Sequence, residues 1–288
     1  MRRLLPLVPL LALAGACHRG PVHDASQFHG ARLLDDGKTG LVSFTRGRYR
    51  LVDPDPIFGG GVPSFIEDVK LLARIDVATC AVDVILRDEH PRGGNGTGNW
   101  TISDTCGRVA LVHRGRRTSY SGPEIPGTYA LIDVDTGALR ELDPNRELVP
   151  WRAELRHGPR LLDERGVLLY EAYPTGEESP DANQSVELFL RQPNGSIEEL
   201  GHGQYQLHGD GELYLWFPGD RECTEIELFT GAKRHVTNRE YADASAALRD
   251  RVTRALHVSS DKQSVELATK TGGTWTRVPA PIDREALR

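Results

Sequence analysis

The cysteines are the residues of this 288-residue chain whose chemistry depends most on their location. Cys17 follows the first apolar segment, whereas Cys80, Cys106 and Cys223 lie in the body of the chain. A thiol outside the cytoplasm can form a disulfide, and a cysteine can also accept covalent lipid. Which of these reactions applies depends on the destination of the chain and on the elements that hold each thiol.

The other polar residues form no catalytic or metal-binding pattern. The sequence contains no His-Glu-x-x-His motif and no Gly-x-Ser-x-Gly elbow. The segment 133–137 begins with calcium-loop spacing, but the later glutamate ligand is missing and a hairpin explains these residues better. His202, His208 and Asp210 indicate turns rather than metal ligands. The sequence therefore predicts no catalytic residue, no metal site and no cofactor.

The first sixteen residues have the plan of a signal peptide. Arg2 and Arg3 precede an apolar run over 4–13, which is too short to span a membrane as a helix. We therefore expect residues 1–16 to be removed during export.

The next residues resemble a bacterial lipoprotein signal. Ala14, Gly15 and Ala16 before Cys17 are similar to the lipobox, in which the cysteine is acylated and becomes the mature N-terminus. This resemblance implies an acyl (palmitate-type) anchor on Cys17 in the bacterial cell envelope, and His18 in the second position favours the outer membrane. The alternative is an ordinary secretory signal with an incidental cysteine. Residues 17–30 are polar and lack periodicity, which predicts a tether.

Net charge limits the class of partner. The whole chain has a formal charge of −6, which becomes −8 without Arg2 and Arg3. An acidic domain is repelled by nucleic-acid phosphates, so we expect no nucleic-acid partner.

The clearest structural unit is a β-hairpin over 129–142. A β-branched and aromatic strand ends at Val134, residues 135–137 form the turn, and a more polar strand follows. Ala130 and Ile132 point to one face while Leu131 points to the other, so both faces should be covered. A sheet packed between two neighbours is therefore predicted.

Two kinds of turn alternate along the chain. The first is polar, often with Asp and Gly, and precedes an apolar strand; the second reverses a strand at a Thr-Gly, Asn-Gly or similar turn. Turns of the first kind occupy 35–37, 103–107, 163–166, 209–211 and 259–262, and those of the second kind occupy 78–80, 135–137, 194–195, 230–231 and 271–273.

This alternation predicts an all-β fold, a β-propeller of about five to six four-stranded blades over residues 31–288. The segments 103–112 and 129–142 resemble one blade of the TolB and WD40-like propellers. The alternative is another all-β fold such as a sandwich or a β-helix. One helix interrupts the strands at about 238–257, where Thr237 and Glu240 have capping-box spacing.

The propeller topology leads to a disulfide prediction. In a four-stranded meander, the turns after strands one and three lie on the same face, which places Cys80 and Cys106 in adjacent blades. We predict a bridge between Cys80 and Cys106, with Cys223 unpaired on the opposite face. The alternative is three free thiols.

Two functional hypotheses remain. The leading one is an envelope-anchored lipoprotein whose non-catalytic propeller binds a protein or an envelope polymer. The other is a propeller enzyme acting on polysaccharide, a hydrolase or lyase, because carboxylates from several blades can converge on one funnel. Two carboxyl groups with raised pKa at such a funnel would favour the enzyme.

Overall fold

The computed structural model describes the chain from residue 21 onward, with gaps. The predicted signal peptide 1–16 and Cys17 lie outside the described residues. Described are residues 21–52, 62–89, 99–114, 128–142, 154–155, 159–173, 186–208, 212–216, 222–228, 230, 232–251, 253–271, 273–280, 282 and 287.

The all-β prediction is confirmed: the described residues form antiparallel strands and one helix. The helix, α1, is Asn238–Arg251. The strands are β1 Val22–Asp24, β2 Gln27–Leu33, β3 Thr39–Val52, β4 Val62–Asp76, β5 Val82–Glu89, β6 Trp100–Cys106, β7 Val109–Arg114, β8 Thr128–Asp133, β9 Leu139–Leu142, β10 Glu154–Leu155, β11 Arg160–Leu161, β12 Leu168–Tyr173, β13 Val186–Arg191, β14 Ile197–His208, β15 Glu212–Trp216, β16 Glu222–Glu227, β17 Lys233–Thr237, β18 Arg254–Val258, β19 Val265–Thr271 and β20 Thr274–Ala280.

These strands form consecutive antiparallel sheets. The first sheet contains β1 to β5, the second β6 to β9, and the last, called the fifth sheet, β18 to β20. Between them, β10 to β17 form one continuous ladder, of which we call the part up to residue 203 the third sheet and the part from residue 204 the fourth sheet.

The second sheet confirms the predicted hairpin. β8 and β9 pair antiparallel, and the two faces of β8 enter different cores, as the alternation predicts. Ala130 and Ile132 pack with Leu41 of the first sheet. Leu131 packs with Leu168 of the third sheet. The second sheet is therefore buried between two neighbours.

A single strand, β14, joins the third and fourth sheets. Its first part pairs with β13 as far as Gly203, and Gln204 begins the pairing with β15. Gly201, with a φ of 122°, lies just before this change of partner. Leu188 of the third sheet and Ile226 of the fourth share one buried cluster.

The fifth sheet packs against the first. Phe28 N, near the start of β2, donates to Lys262 O at 2.9 Å, and Arg254 Nη1 donates to Gly37 O, past the end of β2, at 2.8 Å. β18 therefore runs antiparallel to β2. The turn at 259–262 consequently lies at the opposite end of β2 from the turn at 35–37, and the prediction that these two turns are equivalent is wrong.

The predicted tether 17–30 is wrong from residue 22 onward. β1 pairs with β3 through Val22 and Arg50, and β2 pairs with β3 through Gln27 and Thr45. Polar composition misled the prediction because backbone ladder bonds need no apolar side chain.

The predicted helix 238–257 begins correctly and ends too late. The Thr237 Oγ1 accepts from Glu240 N at 3.2 Å, and Glu240 Oε2 accepts from Thr237 N at 2.8 Å, so the capping box is present. The helix ends at Arg251, and Ala255 and Leu256 belong to β18, where they pair with β19. Apolar residues of a strand continued the helical spacing by coincidence.

Two turns of the second kind share one geometry. Asp76 Oδ1 accepts from the backbone N of Ala78 and Thr79 at 3.0 and 2.7 Å, and Asp133 Oδ1 accepts in the same way from the residues two and three positions later. The fifth residue of each turn is left-handed: Cys80 has a φ of 60° and Gly137 a φ of 71°. Cys80 therefore occupies a position that favours glycine.

Replacing Cys80 with glycine is expected to raise the free energy of unfolding by about 0.5 kcal/mol. A left-handed non-glycine residue costs roughly 1–2 kcal/mol, and the added chain entropy of glycine offsets part of that gain. Gly137→Ala should destabilise by about 1 kcal/mol or more, since its Cβ would lie 2.8 Å from Ile85 O. Urea titration measures both effects, with Cys80→Ala as the control for loss of the thiol. A destabilised Cys80→Gly variant would contradict this account of the turn.

Candidate functional site

Arg108 is the centre of a charged cluster at the turns of the first three sheets. Its Nε donates to Asp135 Oδ2 at 2.9 Å and its Nη2 bonds to the other oxygen of the same carboxylate. Its Nη1 donates to Asp36 Oδ2 and Thr39 Oγ1, both at 3.1 Å. We call the residues Asp35, Asp36, Thr39, Arg108, Asp135 and Glu164 the turn cluster.

The backbone beside Arg108 extends the turn cluster to the third sheet. Gly107 N donates to Asp35 Oδ2 at 2.8 Å, and Arg108 N donates to Glu164 Oε1 at 2.7 Å. Gly107 has a φ of 52°, and a Cβ at this position would lie 1.7 Å from Glu164 Oε1. A side chain at this position would therefore displace the Glu164 carboxylate from Arg108 N.

Three carboxylates of this region, those of Asp36, Asp133 and Asp135, are held in the ionised form. The side-chain hydrogen bonds from Arg108 lower the pKa of Asp135. Burial favours the neutral form of Asp36, but hydrogen bonds from Thr39 and Lys38 outweigh burial, so its pKa is also lowered. Hydrogen bonds from Thr136 lower the pKa of Asp133. A general acid needs the opposite shift, so these carboxylates are suited to holding neighbouring groups rather than to donating protons.

A cleft of 720 Å³ lies between β2 and β18, beside the turn cluster. We call it the β2–β18 cleft. Its volume is in the range of small-molecule sites. The lining combines aliphatic side chains with charged or ionisable ones. It consists of Ala31, Arg32, Leu33, Leu34, Asp35, Gly37, Thr253, Arg254, Ala255, Leu256 and His257.

Two arginines give the β2–β18 cleft its polar character. Arg254 Nη1 donates to Gly37 O at 2.8 Å, and Arg32 Nη2 donates to Ser103 O at 3.3 Å. A guanidinium has five N–H donors, so each arginine is positioned by one carbonyl and retains donors for a ligand. Asp35, in contrast, is bound to Gly107 N. The cleft is therefore suited to a ligand with carboxylate, phosphate or hydroxyl oxygens.

A second polar network lies at the other end of β2. Thr45 Oγ1 donates a hydrogen bond to Asn99 Oδ1 at 2.9 Å. The same hydroxyl oxygen therefore accepts a hydrogen bond from His29 Nε2 at 2.7 Å. Asn99 Nδ2 donates to the other ring nitrogen, His29 Nδ1, at 3.2 Å. Burial lowers the pKa of His29 to about 4, assisted by the charges of Lys70 and Lys262. Because the Thr45 hydroxyl donates its proton to Asn99 and not to His29, it is not activated as a nucleophile. The three side chains form a closed hydrogen-bonded ring with a structural role.

The predicted disulfide is absent. Cys80 and Cys106 are free thiols, as is the buried Cys223. Cys106 Sγ lies 3.6 Å from Leu162 O of the third sheet, and burial raises its pKa to about 11. The first-kind turns of the first three sheets meet, as Gly107 and Asp35 do, whereas Cys80 and Cys106 lie in turns of different kinds. Sharing a face of the molecule is therefore insufficient for contact.

Sequence reasoning missed Arg108, Arg32 and Arg254. The only available signal was position: Arg108 directly follows a turn glycine in the printed sequence.

Among the described residues, no group of three His, Cys, Asp or Glu side chains could hold a metal ion. The described part of the chain also has no helix with the length and hydropathy needed to cross a membrane.

Comparison with known proteins gives remote similarity in fold. TolB from Acinetobacter baumannii aligns with 14% identity and a TM-score of 0.30, over 86% of this chain and 62% of that one. A Pyrococcus horikoshii acylaminoacyl peptidase aligns with 10% identity and a TM-score of 0.34, over 88% of this chain and 46% of that one. An ACO/RPE65 chimera aligns with 10% identity and a TM-score of 0.31, over 90% of this chain and 62% of that one.

This chain thus spans less than two thirds of the length of each of these three proteins. At such identities and TM-scores, the matches carry no information about function. Neither a protein-family model nor a curated protein sequence matches the chain.

Replacing Arg108 with glutamine is expected to lower the free energy of unfolding at pH 7 by about 1 kcal/mol, because partly exposed ion pairs contribute little each but Arg108 makes several. Because the pKa values of Asp36 and Asp135 are lowered in the folded state, these carboxylates contribute to the free energy of unfolding above about pH 4, and this contribution is lost at lower pH. Urea titrations should show that the free energies of unfolding of wild type and variant differ less at pH 3 than at pH 7. Arg165→Gln, which removes an exposed arginine bound to Asp163, is the matched control.

Acidification from pH 6.5 towards pH 4.5 is expected to destabilise the protein through His29. The unfolded chain binds a proton in this range and the native His29 does not, so the free energy of unfolding falls as pH falls. His29→Gln should reduce this loss by about 1 kcal/mol, since partial exposure screens the effect. Replacing the exposed His257 with glutamine provides the control. Identical pH slopes for the wild type and His29→Gln would disprove a neutral His29 in the native state.

Proposed function

We propose that this protein is an envelope-anchored lipoprotein whose β-propeller is a non-catalytic binding module. The anchor is an acyl group on Cys17, most consistent with the outer membrane, and the partner is a protein or envelope polymer. The β2–β18 cleft is the ligand site. This cleft, with its positioned arginines on an aliphatic surface, is the observation on which the proposal depends.

The propeller assignment with five blades is supported by contacts between sheets. β2 contacts β6, β6 contacts β11, and β2 also contacts β18 of the fifth sheet. Phe28 and Leu256 lie in one buried cluster, which joins the beginning of the described chain to its last sheet. Sheets that bury both faces need such neighbours on each side, and a ring provides them without exposed ends.

The binding role is favoured over the polysaccharide enzyme by the state of the carboxylates. Asp36, in the turn that borders the cleft, and Asp135 of the turn cluster have lowered pKa values, whereas glycoside hydrolysis requires one carboxyl group with a raised pKa. Arg32 and Arg254 instead provide fixed donors that can hold oxygen-bearing groups without reacting with them.

The proposal is tested in intact envelopes with a short crosslinker. Wild-type protein should fractionate with membranes and yield an N-terminal peptide with the mass of acylated Cys17, whereas Cys17→Ala should be released. Crosslinks to a discrete partner should be lost in the charge-reversed pair Arg32→Glu and Arg254→Glu. The control Arg277→Glu changes an exposed arginine of β20 and should retain them.

Each part of the proposal can fail separately. An unmodified Cys17 in membrane-free fractions would remove the anchor. Crosslinks that survive in the Arg32→Glu, Arg254→Glu protein would move the binding site away from the β2–β18 cleft. Hydrolysis or elimination of an envelope polysaccharide by the purified protein would replace binding with catalysis.

A further inference from the structure

The last strand, β20, is an exposed edge strand. It pairs with β19 over its whole length without a bulge, and in the part of the chain that the structure describes no strand pairs with its other edge. Its residues are exposed from Thr274 to Pro279, and the side chains include Trp275, 42% exposed, and Val278, 56% exposed. Unpaired backbone groups beside exposed apolar side chains favour pairing with a further strand.

The outer edges of the other sheets are protected in ways that β20 is not. β9 has only four residues, and the pairing of β5 with β4 contains a bulge between Leu72 and Ala73. β17 leads directly into α1, which packs against Val236 of that strand. Short strands, bulges and covering elements are the usual protection of a sheet edge. β20, with seven regularly paired residues, has neither a short length nor a bulge.

The pairing of β19 determines which backbone groups of β20 point outward. Lys270 N donates to Thr253 O at 2.7 Å, so the backbone groups of Lys270 point towards β18. Backbone groups alternate sides along a strand, and two directly opposed residues point either towards or away from each other. Trp275 is opposite Lys270, so its N–H and C=O point away from β19, as do the backbone groups of Arg277 and Pro279. Pro279 has no N–H, so it adds only an acceptor to this edge.

We propose that β20 pairs antiparallel with β20 of a second copy of this chain, with Thr276 directly opposite Thr276 of that copy. This inference goes beyond the proposed function and depends neither on acylation of Cys17 nor on the β2–β18 cleft. A twofold axis perpendicular to the sheet relates two such edges, so the same surface is used by both copies and the assembly closes as a dimer.

The register follows from the residues that point outward. With Thr276 on the axis, Trp275 lies opposite Arg277 of the second copy, and the outward N–H and C=O groups of both residues are paired. Arg277 on the axis would place two like charges opposite each other. An axis one residue further on would place Arg277 opposite Pro279, where a donor is missing. With Trp275 on the axis, Arg277 would face Gly273, whose φ of 82° is not that of a strand.

The side chains of this register are complementary on both faces of the sheet. Trp275 and Arg277 share one face, on which Arg277 is 62% exposed and lies 3.8 Å from Glu266. Each Trp275 ring would contact the guanidinium of Arg277 from the other copy, a cation–π pair that the twofold axis repeats. On the other face, Thr274 would lie opposite Val278, a pair of β-branched side chains. The edge of β20 is therefore self-complementary.

One pair of strands makes a small interface. Specific stable dimers bury more surface than two seven-residue strands provide, so association in solution is expected to be weak and to depend on concentration. Two chains anchored in one membrane would meet at a higher effective concentration. The dimer would carry two β2–β18 clefts, so a polymer with repeated groups could bind both at once.

The test is disulfide trapping in the full mature chain with Cys17→Ala. Opposed residues of a pair without mutual hydrogen bonds have Cα atoms about 4.5 Å apart, which suits a disulfide. Thr276→Cys should therefore crosslink two copies at least about ten-fold faster than Thr274→Cys or Val278→Cys, whose equivalent positions lie about 13 Å apart in the dimer. A mixture of these last two variants should crosslink, because the two positions oppose each other. Mass spectrometry identifies the linked peptides.

A second variant tests the hydrogen bonds between the copies. Arg277→Pro removes an outward N–H and no bond to β19, so it should lower the dimer fraction in sedimentation velocity by at least about ten-fold. Arg277→Lys keeps both the donor and the cation and should retain most of the dimer. The Arg277→Glu protein should lose crosslinks between copies while it keeps those to the partner of the β2–β18 cleft, which separates this proposal from the proposed function. Urea midpoints establish that all variants fold.

Other occupants of the edge give different results. Equal trapping of the Thr276→Cys and Thr274→Cys proteins would indicate random collision and would overturn the proposal. A thiol at position 276 that reacts with iodoacetamide but forms no crosslink would leave the edge to the strand of another protein. An unreactive thiol at this position would mean that residues of the same chain cover the edge. Either result would disprove the pairing of two copies.

Discussion

The arrangement of the first three sheets depends on hydrogen bonds that one short turn makes on both sides. Arg108 binds Asp135 of its own sheet and Asp36 of the first sheet, and its backbone N binds Glu164 of the third. Apolar packing between sheets is non-directional and tolerates sliding, whereas bidentate and backbone contacts fix relative position. The turn cluster thus determines which turns meet, while the buried clusters provide most of the stability.

The same turn chemistry explains the position of the candidate ligand site. Asp35 is bound to Gly107, and Arg254 is bound to the carbonyl of Gly37 in the same turn. The turn at 35–37 therefore connects the second sheet on one side with the fifth on the other. The β2–β18 cleft is open beside this turn, and hydrogen bonds to the carbonyls of Gly37 and Ser103 position its two arginines, which reduces the entropic cost of binding.

Features that depend on residues close together in the sequence were predictable, whereas contacts between neighbouring sheets were not. The hairpin at 129–142 and the capping box of Thr237 and Glu240 depend on residues close together in sequence, and the structure has both. The absent Cys80–Cys106 bridge depended on which turn meets which across neighbouring sheets. No local sequence pattern carries that information, because it depends on how neighbouring sheets pack against each other.

The remaining errors arose where one sequence pattern is compatible with two different structures. Residues 22–30 lack alternation because β1 and β2 are held by backbone pairing to β3, and composition alone indicated a tether. Ala255 and Leu256 fit a helix as well as a strand over so short a run. The shared site of the cleft arginines could not be predicted for a different reason. Arg32 and Arg254 are 222 positions apart in the sequence and line one cleft only because β18 packs on β2.

The shared strand β14 has a mechanical consequence. Its residues change partner between Gly203 and Gln204 without leaving the extended conformation, so no loop separates the two sheets. A pivot at this point would break ladder bonds on both sides. An insertion between Gly203 and Gln204 would therefore interrupt the ladders of the third and fourth sheets at once.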